Sequence, residues 1–154
     1  MKGFIRKIIV EAFEENGEMS LLCSLAGLTQ QEAEWKLTPT TWTIEEILYH
    51  VASAKIEYCR QAFPPAAVAV TPTPFGDIRR MIELSRNAHL RLLACLEGCT
   101  EEDLAHPIST RFHGQSAAHF FWIMAMHDIS HGAQIRTIRR AFGTRTDYYD
   151  VRSS

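Results

Sequence analysis

Residues 21–33, LLCSLAGLTQQEA, align without a gap onto residues 92–104, LLACLEGCTEEDL, matching two adjacent leucines, a third leucine, a glycine and a threonine. In each copy leucines at helical spacing run into a glycine that suits a helix terminus, and the threonine two residues on can cap a short polar or acidic turn. Each copy therefore reads as the end of one helix followed by the lead into the next long one. Two copies in one chain predict two helical hairpins related by an approximate two-fold, since a solenoid would need more repeats.

Helix limits follow from the punctuation around the repeats. The clearest start is WTIEEI, residues 42–47: Thr43 is a candidate N-cap, Glu46 completes a capping box, and Trp42 can staple against Ile47. That helix can run to about Phe63, because Pro64 and Pro65 forbid continuation, and PPAAVAVTPTP (64–74) reads as an extended connector. Asp77 opens the third helix, which ends near Gly98. Ser116 caps the longest one, from about Ala117 to Phe142, and Gly143 closes it. The first helix is expected over much of Phe4–Leu25. The fold expected is all-α: a four-helix bundle of two pseudo-repeated hairpins with a long proline-rich crossover between helices two and three, residues 1–154 forming a single domain.

A chain of 154 residues, 46% hydrophobic, buries roughly two thirds of its unfolded surface, so a metal site would serve chemistry rather than hold the core together. With 16 Lys plus Arg against 18 Asp plus Glu, a net charge of −2, there is no electrostatic case for nucleic acid or an anionic membrane surface as a partner. The N-terminal MKGFIRKIIVEAFEE has no unbroken apolar segment and does not read as a signal peptide, and no stretch approaches the ~18 apolar residues of a membrane span. Cys23, Cys59, Cys95 and Cys99 form no CxxC pair, which fits reduced core thiols in a cytoplasmic protein.

Function has to be read from the seven histidines. His127 and His131, in MHDISH, share one helix face a turn apart. With His127 at zero and about 100° per residue, Phe120 and Ile138 fall at about +20°, His131 at +40° and Met124 at +60°, so the pair is expected in the middle of the apolar stripe. Arg136, Arg139 and Arg140 fall on the opposite half. Burying imidazole nitrogen without a partner costs on the order of 1–3 kcal/mol per group, so something must satisfy both rings. A divalent ion would, and so would ordinary hydroxyl or carbonyl partners; the spacing leaves both open. His50, in EILYHVASAKIEYC, sits on the flank of the stripe made by Ile44, Ile47, Val51 and Tyr58, where it can point toward a neighbouring helix. Three nitrogen ligands with open positions left over would make a catalytic rather than a sealed site.

Taken together, GLTQQEAEWK, WTIEEILYHVA and HDISHGAQIRTIRRAFG make the chain resemble, over nearly its whole length, the DinB-like family of metal-dependent four-helix bundles, which includes thiol-dependent S-transferases. The resemblance implies metal binding by His50, His127 and His131, and a homodimer. The family commonly reads HRGQ from its last ligand, whereas this chain has His131, Gly132, Ala133 and Gln134, keeping the glutamine and losing the arginine; a frequent extra histidine before that ligand is here Ser130. The activity implied is metal-dependent chemistry on a small molecule, either transfer of a low-molecular-weight thiol or hydrolysis. Zinc suits three imidazoles best, with nickel second. The competing reading, from a different class, is a non-enzymatic metal-binding or interaction bundle.

Other polar groups carry weaker signals. Glu57 is in line with His50 and reads mainly as a solvated carboxylate. Asp128 points about 100° away from His127. Tyr49 and Trp42 read as packing residues, and His113 and His119 as surface histidines. Cys95 and Cys99 have helical spacing without forming a convincing second site. Arg136, Arg139, Arg140 and Arg145 read as a solvated face whose charge complements the helix C-terminus. The 143–154 tail is assigned no function.

Overall fold

The structure, a computed structural model, describes residues 1–14, 19–63, 75–108 and 115–144. These residues are helical, with no strand among them and one isolated bridge between Pro107 and Ser116. Four long helices, α1 (Lys2–Phe13), α3 (Ile44–Ala62), α4 (Ile78–Gly98) and α6 (Ala117–Phe142), are accompanied by two short ones, α2 (Gln30–Glu34) and α5 (Glu101–Ala105). Among the described residues no helix is long and apolar enough to cross a membrane.

The starts and stops are local chemistry. Thr43 accepts from the Glu46 N–H at 3.1 Å while the Glu46 carboxylate accepts from the Thr43 N–H at 2.7 Å, so α3 opens on a closed capping box. Asp77 accepts from the N–H groups of Arg79 and Arg80, and Ser116 from that of His119. Gly143 closes α6 at φ 104°, a conformation that disfavours side chains with a Cβ. The connector 64–74 lies outside the described residues, as do His113, Arg145 and the tail beyond residue 144.

The repeat is visible as matched local structure. Thr29 and Thr100 each open a five-residue helix through a capping box closed by Glu32 and Asp103 respectively. The copies part company at their leucines. Leu92, Leu93 and Leu96 lie inside α4, but Leu21, Leu22 and Leu25 do not continue α1, which ends at Phe13 instead of reaching Leu25. The chain turns back, and the N–H groups of Leu21 and Leu22 donate to the carbonyls of Ala12 and Phe13 at 3.0 and 2.9 Å, satisfying helix-end acceptors that lack intrahelical donors. A short 3₁₀ turn, Cys23–Leu25, follows.

The core divides into two apolar clusters along the helices. One holds Ile44 to Ile56 of α3, Ile78 to Ala88 of α4 and Ile135 and Ile138 of α6. The other holds Cys59, Leu92 to Cys99, and Ala117 to Ala125, together with Ile5, Ile9 and Ala12 of α1. Membership gives direction: α3 and α4 run the same way, and α6 runs against both. Lys55, His89 and Asp128, all buried, fall in sequence at or near the changeover between clusters on α3, α4 and α6.

Gly132 sets the distance of α6 from the returning segment. A Cβ added there would come 3.4 Å from Leu21 Cα and Ser20 O, within ordinary contact, and anything longer would meet backbone. Gly132→Ala should therefore be neutral or stabilising by up to ~1 kcal/mol through helix propensity. Gly132→Leu should destabilise by about 1–3 kcal/mol, read as a lower urea midpoint at unchanged m-value.

Candidate metal centre

Each of the three histidines is half-buried, His50 on α3 and His127 and His131 on α6. Their rings turn the same atom inward. His50 Nε2 and His131 Nε2 each lie 3.2 Å from His127 Nε2, and the three nitrogens fall within 4.8 Å of one another. With a metal–nitrogen bond of about 2.1 Å, a 3.2 Å separation corresponds to about 100° between ligands, close to the tetrahedral angle.

Proton accounting shows why three imidazoles alone leave this centre unsatisfied. His131 Nδ1 is 3.0 Å from Gln134 Oε1, which can only accept, so Nδ1 carries the proton and Nε2 of the neutral ring is a lone pair. Burial, reinforced by His131, His50 and Lys55, lowers the pKa of His127 to about 3, and burial also lowers that of His131, so both rings are neutral at pH 7. His127 Nε2 then either donates its one proton or accepts one, and cannot make a full hydrogen bond to both neighbours. His127 Nδ1 is buried without a hydrogen-bond partner among the described residues. A cation accepts all three lone pairs at once; no arrangement of protons here does.

Gln134 thus orients His131 from outside the cluster. Gln134→Ala removes an exposed side chain, so stability should hardly change, whereas metal affinity should fall by roughly 10–100-fold, as measured by chelator competition, because the His131 tautomer is no longer set. The Trp42 ring, 46% exposed, lies 5.1 Å from that of His50.

The pair on α6 does not occupy the middle of the buried stripe. The buried residues of α6 run from Phe120 and Ile138 at about +20° through Asp128 at +100° to Ala125 at +160°, leaving His127 and His131 near one edge. The wide buried sector arises because α6 packs against α1 as well as α3. An edge position opens the centre to solvent on one side.

The same displacement corrects the reading of the arginines. Arg139 is 3% exposed, donating to Glu32 at 3.1 Å and to the carbonyls of Ser24 and Ala26 at 2.8 Å, and Arg136 is half-buried; only Arg140 of the described three is exposed. Burial raises the Glu32 pKa, but hydrogen bonds from the Thr144 hydroxyl, the Thr29 N–H and Arg139 together with its charge outweigh it, and the net shift is downward. Glu57 is held at the surface by Arg60 and Gln61, away from any role at the centre. His119 is exposed against Trp122, and Tyr49 lies against Phe75. Cys59, Cys95 and Cys99 are buried free thiols, and no cysteine joins a metal-type cluster among the described residues.

Sequence reading missed the buried ion pair next to the cluster. Lys55 Nζ lies 2.7 Å from Asp128 Oδ2, and both side chains are 0% exposed. Burial pushes the Asp128 carboxyl up to about 6 against the pull of Lys55. The available signal was positional: Lys55 follows Ile44, Leu48 and Val51 at heptad-like spacing, on the buried side of α3.

Helices and cluster together define an all-helical protein with a three-histidine centre of the kind that fits a divalent ion. The family model described as DinB superfamily matches residues 13–135, and the chain belongs to that family. No curated protein and no solved structure matches it.

Proposed function

We propose that His50, His127 and His131 bind one divalent ion, zinc in first place and nickel in second, and that the chain is a four-helix-bundle enzyme acting on a small molecule at the open side of that ion. The observation that carries the reading is the convergence of three Nε2 atoms, those of His127 and His131 on neutral rings, that protons cannot jointly satisfy. Bound there, the ion supplies Lewis-acid activation of a small nucleophile, water or a low-molecular-weight thiol. The protein's own part is to keep the His127 and His131 rings neutral by burial, to set the His131 tautomer through Gln134, and to place the half-exposed Trp42 ring against His50.

The test is direct. Tag-free protein, stripped with a chelator and reloaded, should take up one zinc or nickel per chain by elemental analysis; no uptake ends the proposal. The loaded protein is then offered a low-molecular-weight thiol with an electrophile and, separately, hydrolysable esters and amides. Metal-dependent conjugation supports a transferase, and metal-dependent cleavage a hydrolase. Stoichiometric metal with neither activity favours a binding or sensing bundle.

A further inference from the structure

We propose that Lys55 and Asp128 are positioning residues whose buried ion pair sets the register of α3 against α6 that brings His50 to His127 and His131. The inference rests on the three-histidine reading above. The pair joins the same two helices that carry the histidines: Asp128 directly follows His127, and Lys55 comes five residues after His50. Helical side chains lean toward the N-terminus of their helix, so Lys55 reaches back toward the level of the cluster.

Three observations point to register rather than to general stability. First, neither group has another hydrogen-bond partner among the described residues, so each buried charge depends on the other. Second, the pair lies at the changeover between the two apolar clusters, with Ala52 and Ile56 of the first beside Lys55 and Ala125 of the second beside Asp128. Apolar contacts are non-directional and tolerate one helix sliding along another. A salt bridge at 2.7 Å does not, because a slide of one residue strands two charges where water cannot reach. A single polar position in an apolar seam is the known device for specifying helix register. Third, Phe13 limits the freedom of the ammonium group: its ring centroid is 4.1 Å from Lys55 Nζ, and the buried His89 ring stacks on it at 4.0 Å. Since apolar replacements of buried pairs are often as stable as the original, the pair's contribution to the site can be separated from its contribution to folding.

Cobalt(II) is the probe, because its visible absorption reports coordination geometry and ligand field as well as occupancy, and His50→Ala supplies the reference spectrum for a centre that has lost that imidazole. The proteins are the full chain, His50→Ala, and the double variant Lys55→Met/Asp128→Leu, each checked for helicity and melting. The double variant should fold, bind cobalt at least tenfold more weakly than the unaltered chain, and show the absorption spectrum of His50→Ala. A folded double variant with the unaltered affinity and spectrum overturns the proposal and leaves the three-histidine centre standing. If the unaltered chain itself fails to bind cobalt, or gives the spectrum of His50→Ala, the three-histidine reading fails and this inference with it. Should the double variant not fold, Asp128→Asn, which keeps the side-chain volume, decides the matter: an affinity loss of at least threefold with a partial shift toward the His50→Ala spectrum supports the proposal, and unchanged binding overturns it.

Discussion

His127→Ala should abolish the stabilisation that added zinc confers on the native chain. His127 is the middle ligand, 3.2 Å from both other Nε2 atoms, and its removal leaves two nitrogens with no third donor between them. The affinity loss should exceed the roughly 10–100-fold that loss of an outer hydrogen-bond partner produces. By linkage, metal at 100 times its dissociation constant stabilises the unaltered chain by about 2.7 kcal/mol, which in a domain of this size raises Tm by roughly 5–10 °C. The variant should show no such rise. Without metal, the two proteins should differ by no more than about 1 kcal/mol, because the ring removed is half-buried and its Nδ1 has no hydrogen-bond partner among the described residues. Equal metal-dependent shifts in Tm for the two proteins would exclude His127 as a ligand.

Arg139→Ala should lower stability by about 3–5 kcal/mol, a drop in Tm of roughly 6–20 °C, whether or not metal is present. The substitution leaves the Glu32 carboxylate buried without its cation and removes the donor to the carbonyls of Ser24 and Ala26. Those carbonyls belong to the 3₁₀ turn that follows the early end of α1, so the arginine ties the last helix to that turn. A pH signature accompanies the effect. The folded-state pKa of Glu32 lies below its ordinary value of 4.5, so its stabilising contribution is complete above that pH and is lost as pH falls through the lower, folded-state value. Arg139 is one source of the depression, and Arg139→Ala should therefore flatten the acid limb of the stability profile. An exposed arginine would give a change within about 0.5 kcal/mol and no pH signature.

Much of this protein was legible from residues a few positions apart. The capping box at Thr43, the caps at Asp77 and Ser116, and Gly143 act through bonds spanning two to five residues, and the helix limits they set are those observed; Thr29 and Thr100 cap as read, but each opens a five-residue helix and not a mere turn. The spacing of His127 and His131 likewise determines, within one helix, that two imidazoles share a face. The first helix was misread, because the expectation of a helix toward Leu25 passed over the Asn16-Gly17 turn signal; α1 ends at Phe13, and Leu21 and Leu22 bond back to Ala12 and Phe13. Sequence also misjudged which sector of α6 is buried.

Helix class, the limits of the capped helices α3, α4 and α6 and the pairing of two histidines on one rod are properties of short segments, and the amino-acid sequence alone determined them. Which arc of that rod faces the interior depends on how many neighbours cover it, and α1 and α3 together bury a sector centred well away from the histidines. Only the tertiary structure placed His50 against the pair, sank Lys55 and Asp128 into one contact, and joined Arg139 to Glu32 across 107 residues of chain. The physical reason is range: a cap is decided by the backbone groups beside it, whereas a buried charge is tolerable only where folding delivers its counterpart from a distant helix.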